Sequence, residues 1–229
     1  MFGVTLLSTC LFAHFTKNSR DAVIKTTILW GRVIGLSIYI LTRCHSYFTV
    51  TGSSTCKWNE KALYFGIYGD CLWFLGNLVY AVKSSFQGER AKILYGRLEG
   101  HLVTDFIFTF LFALSFYVFP GHMLGFQAKI KLDKMHASIT RLMAAILFNS
   151  TFIAGSSSRF TSKDDKLAFL LSRIIGITGY ILSQIYAQLT TDNWTHWHVY
   201  FGMLGMTVWL VNAVAGYMYG RQKEQTHTE

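Results

Sequence analysis

Asp70 is the one carboxylate near the middle of a long apolar stretch, Ala62–Val82. An acid there is costly unless paired, and by default it marks a functional site that carries a proton or coordinates a cation. The structural alternative is a pair with an arginine or a hydrogen bond to Asn77. Gly66 and Gly69 leave a small-residue notch beside Asp70 that admits either another helix or a file of water, so Asp70 is expected to face inward and be paired. Arg32, Arg97 and Arg173 form a second set, each beside a small residue and a turn or two in from a helix end. Arginines so placed either bind anionic headgroups or anchor and pack the helices.

The remaining polar clusters carry less chemistry. Glu99, His101 and Asp105 sit at the start of the fourth apolar segment without metal-site spacing and read as a solvated interfacial trio. His196 and His198 alternate with Trp194 and Trp197, which reads as an aromatic belt with polar tips. His101 and His122 lie at opposite ends of one segment, which disfavours haem. No nucleophile elbow, phosphate loop, zinc-protease motif or histidine box is present, and the last segment has no lysine for a retinal. The chain reads as a non-enzyme without a cofactor.

The elements that must position these residues follow from composition. Of 229 residues, 52% are hydrophobic and only 14% charged, against roughly 25% charged in soluble domains. A spanning helix needs about 20 mostly apolar residues. Seven segments qualify or come close: Met1–Phe15, Ile24–Leu41, Ala62–Val82, Leu102–Pro120 (with a start as early as Ile93 open), Ala137–Ala154, Leu167–Leu189 and Val199–Tyr219. The strand alternation of a membrane barrel is absent, so the expected fold is an all-α polytopic membrane bundle of about seven helices. The net charge of +9 is spread singly between apolar stretches, which fits a bilayer as partner and not nucleic acid. Met1–Phe15 lacks a charged leader and a cleavage site and reads as a short membrane helix.

Loop charge orients the chain. With the C-terminus cytosolic, eleven Lys and Arg fall in cytosolic loops and six on the other side. This places the acceptor Asn193-Trp194-Thr195 outside, together with Cys44 and Cys56, which are expected to form a disulfide across one loop. The implied location is the secretory pathway or the plasma membrane. Asn149-Ser150-Thr151 also matches the acceptor pattern, but inside a helix.

An internal repeat is expected. Arg32, Gly35 and Tyr39-Ile40-Leu41 match Arg173, Gly176 and Tyr180-Ile181-Leu182 at an offset of 141. Gly66, Gly69 and Trp73 match Gly202, Gly205 and Trp209 at an offset of 136, with Met206 in place of Asp70. Four spans separate the copies, so the repeat is parallel. The expected units are residues 1–101, with three helices and the first of a set of four absent, and residues 102–221, followed by a polar tail at 222–229. The segment Phe112-Ala113-Leu114, Phe119-Pro120, then Arg141-Leu142-Met143-Ala144-Ala145 and Leu171-Ser172-Arg173 resembles the four-helix membrane family of p53-inducible protein 11 over residues 106–221. Ala144 stands where that family has glycine. The resemblance implies a multi-pass membrane protein with no assigned catalytic residues. The expected function is a subunit or accessory acting through helix–helix contacts, with other membrane subunits or anionic lipid as partners. The alternative is a small transporter or proton-coupled channel using Asp70.

Overall fold

The computed structural model describes residues 2–50, 60–84, 96–129 and 132–225. Among them the chain is helical apart from turns and one isolated bridge, Ala128 to Trp194. The helices are α1 (Phe2–Phe15), α2 (Ala22–Val50), α3 (Glu60–Lys83), α4 (Arg97–Val118), α5 (Pro120–Gly125), α6 (Lys134–Ser157) and α7 (Lys163–Thr190). A π-helical turn at His198–Met203 leads into α8 (Leu204–Gln225). Six helices, all but α1 and α5, are long and apolar enough to cross a membrane. The 14 residues of α1 rise roughly 21 Å, short of a hydrocarbon core of about 30 Å.

Several boundaries differ from those read in the sequence. Helix α2 continues nine residues past Leu41, because no glycine or proline stops it; the hydroxyls of Thr42, Ser46 and Thr49 are satisfied within the helix by bonding back to carbonyls of the preceding turn. Arg43 and Cys44 are therefore helical and not in a loop. Cys44 is half-buried with a free thiol, and Cys56, its expected partner, lies outside the described residues. Helix α4 begins at Arg97, not Leu102, and ends at Val118, because Pro120 lacks the N–H to continue it and instead occupies the first turn of α5. A start near Ile93 lies outside the described residues.

Helix α6 is central. Its apolar window is 61% buried against 11% for α3. It packs on α2 and α4 and touches α1, while α1 lies mainly on α7, α7 on α8, and α8 on α4. Helix α3 packs chiefly on α2. The centre is made by small and hydroxyl side chains, among them Ala144, Ala145, Ser150, Ala154 and Ser157, which let backbones approach closely. Glycines do the same from the facing helices: Gly31 and Gly35 lie against Asn149, and Gly176 lies against Ser8. Capping ties the α1–α2 turn to the α6–α7 turn. Asp21 accepts from the Val23 N–H at the start of α2 and from both N–H and hydroxyl of Thr161.

Candidate functional site

The buried polar centre is built on Asp105, two turns into α4 and fully enclosed. Its Oδ2 accepts from Arg173 Nε of α7 at 3.1 Å, and its Oδ1 accepts from Trp209 Nε1 of α8 at 2.6 Å. The second arm of Arg173 donates from Nη2 to the Ser150 carbonyl of α6 at 3.0 Å and to Thr109 Oγ1 at 3.3 Å. Thr109 sits one turn after Asp105 and donates to its backbone carbonyl at 2.7 Å. The guanidinium lies over the rings of Phe169, at 4.9 Å, and Trp209, at 5.7 Å. The network reaches α1, where Thr9 Oγ1 is 3.2 Å from Ser150 Oγ and Ser8 Oγ donates to the Ser172 carbonyl. Each carboxylate oxygen of Asp105 is engaged by a fixed donor, so the arrangement binds helices together.

The other sequence candidates are dispersed. Asp70 pairs with Arg43 of α2 at 2.6 Å, each side chain about a fifth exposed (19% and 20%). The contact is close enough for an ion pair but is not aligned as a hydrogen bond. Arg43 also donates to the Tyr39 hydroxyl and lies over its ring. Asn77 does not reach Asp70; its amide donates to the Trp73 carbonyl. Arg32 is half-buried in α2, with no ion pair among the described residues. Arg97 is the exposed first residue of α4, not a turn or two inside it, with its guanidinium 5.9 Å from the Tyr219 ring centre. Asn193 is exposed in the turn after α7, and its carbonyl accepts from the Lys129 N–H at 2.8 Å.

Of the trio at the start of α4, none is freely solvated. Glu99 pairs with Lys166 at 2.8 Å, and His101 faces Asn212 at 3.0 Å. Sequence reasoning missed Asp105 because it began the helix five residues late. The available signal was the spacing of Asp105 and Thr109, which puts an acid and a hydroxyl on one helix face.

Beside this centre, α4, α6, α7 and α8 enclose a cavity of about 430 Å³. Its walls are mainly apolar, with Phe112, Met143, Leu147 and Trp209 among them. Gln184 Oε1 and His198 Nε2 are buried in its lining and have no protein partner among the described residues. His198 stacks on Trp194 at 4.2 Å, so it is enclosed and not a belt residue. Burial pushes its pKa below the usual imidazole value. Its Nδ1 lies 3.3 Å from Gln188 Oε1; in the tautomer that donates from Nδ1 to this oxygen, Nε2 is an acceptor. The cavity therefore suits an apolar guest bearing a hydroxyl donor.

No curated protein and no solved structure matches the chain. Residues 1–218 match the family described as a domain of unknown function, DUF8292, and the chain belongs to that family.

Proposed function

We propose that the protein is a non-catalytic, multi-pass membrane protein that acts as a subunit or accessory of a membrane assembly through helix–helix contacts. It resides in the secretory pathway or plasma membrane with its C-terminus in the cytosol. Its two parts are parallel copies, with α1, α2 and α3 equivalent to α6, α7 and α8. Three contacts support the duplication. Gly35 lies against Asn149 and Gly176 against Ser8; at the offset of 141 these are one contact made twice with the roles exchanged. Thr9 meets Ser150 at that same offset, each residue touching its own counterpart. That is the pattern of two copies related by a two-fold axis along the membrane normal.

The observation that carries the functional reading is the use of the buried charge. Arg173 and Asp105 are tied to four helices by fixed hydrogen bonds, while α3 leaves large apolar side chains such as Phe65, Leu72 and Trp73 exposed. A helix that buries so little against its own chain has contact area to offer a neighbour. Transport through Asp70 has less support, since Arg43 occupies that acid on an edge helix. Anionic lipid is a further partner class, approached by the exposed Arg97.

The test is extraction from the native membrane in mild detergent, followed by native mass measurement. The expected particle contains a second polypeptide beyond the 26.1 kDa chain. A lone chain at every detergent and lipid condition refutes the reading. A proton or cation flux in liposomes that Asp70→Asn abolishes replaces it with transport.

A further inference from the structure

The two copies differ in what covers their outer walls. Helix α8 carries α4 along a face defined by Gly205, Trp209, Asn212 and Gly216. Phe112 of α4 comes within 3.3 Å of where a Cβ on Gly205 would stand. Trp209 donates to Asp105. Asn212 binds the carbonyl and ring of His101, and Gly216 lies against that same ring. At the offset of 136 the equivalent face of α3 is Gly69, Trp73, Gly76 and Tyr80, and all four are exposed. A Cβ on Gly69 or Gly76 would meet nothing within 4 Å, and Trp73 is 53% exposed.

The same asymmetry holds for the other wall. Helix α6 seats α4 through Phe148 against Tyr117 and Gly155 against Phe106. Their counterparts on α1, Leu7 and His14, are exposed. Helices α1 and α3 thus present the two walls that clasp α4 in the other copy, with nothing between them among the described residues.

Charge says what belongs there. Arg32 stands at the position in α2 that Arg173 holds in α7, ten residues after each helix begins, or roughly 15 Å along the axis. Arg173 and Trp209 share one carboxylate, Asp105. Arg32 and Trp73, their counterparts, have no such acid: Arg32 makes no ion pair among the described residues. A second copy of this chain cannot supply it. Of the acidic residues among those described, only Asp70 and Asp105 lie well inside spanning helices, and both are already paired.

We infer that the flank formed by α1 and α3 is a docking site for one spanning helix of a partner subunit, which brings a carboxylate to Arg32 and the Trp73 indole N–H. This rests on the subunit reading above and names the partner's chemistry. An unpaired arginine within a spanning segment is costly, and an acid on the incoming helix relieves that cost.

The probe is a synthetic peptide of residues 97–118, in which Asp105 is free of its own bundle. The full chain in phosphatidylcholine nanodiscs carries a photo-crosslinker in place of Tyr80, or in place of Leu182 on α7 as control. The peptide is expected to cross-link at position 80 and not at 182. By energy transfer, Asp105→Asn in the peptide should weaken binding about tenfold, near the upper end for a polar contact between membrane helices. Arg32→Gln in the protein should weaken it equally, and the two changes together should cost no more than either alone. Trp73→Phe, an exposed position where folding is not at stake, should weaken binding in the same direction.

Equal affinity for the Asn peptide, or cross-linking at 182 alone, overturns the inference. In native membranes the position-80 cross-linker should add the mass of a second polypeptide, and Arg32→Gln should remove that product. Added mass that Arg32→Gln leaves unchanged keeps the subunit reading and overturns the carboxylate. A cross-link that stays within the chain overturns the docking site, and no added mass from any exposed helix position removes both.

Discussion

The Arg173–Asp105 pair shows how a buried charge serves packing. Both side chains are almost wholly removed from the surface (6% and 0% exposed), and their donors and acceptors come from α4, α6, α7 and α8. Removing one partner strands the other. Asp105→Ala is expected to cost about 3–5 kcal/mol, the usual penalty for breaking a buried pair, measured by chemical unfolding in detergent micelles. The double variant Asp105→Leu with Arg173→Met should recover most of that loss, because an apolar pair of similar volume needs no compensation. A silent single variant, or a double variant worse than the single, would refute the account. The pair was half legible in the sequence. Arg173 stood out beside Ser172, but Asp105 did not, since its depth depends on where α4 begins. That start lies beyond the apolar run, in residues whose helicity tertiary contacts sustain through Glu99 with Lys166 and His101 with Asn212.

At the scale of elements, close approach governs the bundle. Where Gly35 meets Asn149, an added Cβ would lie 2.7 Å from the Asn149 Cβ, and at Gly176 it would lie 2.6 Å from the Ser8 Cβ. A Cβ is fixed to the backbone, so relief requires moving a helix. Gly35→Ala and Gly176→Ala should each destabilise by about 1–3 kcal/mol, the cost of overpacking. Gly69→Ala and Gly76→Ala meet open space and should be neutral or slightly stabilising through helix propensity. Thermal unfolding of the four variants in one detergent checks the contrast. Equal effects at all four positions would remove the argument from close packing. The glycines were visible in the sequence as matched positions, but which copies are filled and which are bare was not. Gly69 and Gly205 read alike, and only the neighbour, Phe112 of α4, separates them.

At the scale of the molecule, orientation is the prediction that composition makes. The division of loop Lys and Arg, eleven against six, predicts a cytosolic C-terminus with Asn193 outside. A C-terminal tag should be reached by antibody only after permeabilisation, and glycosidase treatment should shift the mass unless Asn193→Gln is present. A tag accessible on intact cells inverts the topology.

What the amino-acid sequence determined by itself was the class of element; of the seven expected spans six are long enough to cross a membrane, and α1 is shorter. Long apolar runs with few charges become helices because a chain that buries them must satisfy its backbone within each segment, and that requirement is local. The matched motifs at offsets of 141 and 136 were local too. Tertiary structure decided the partners. Asp70 found Arg43 and not Asn77 because α2 runs on past Leu41. His198 became a buried cavity residue because the π turn and Trp194 enclose it. Arg173 found its acid on α4, while Arg32, in the same local sequence, has none among the described residues. Pairing across helices depends on which faces meet, and a single segment carries no record of its neighbour.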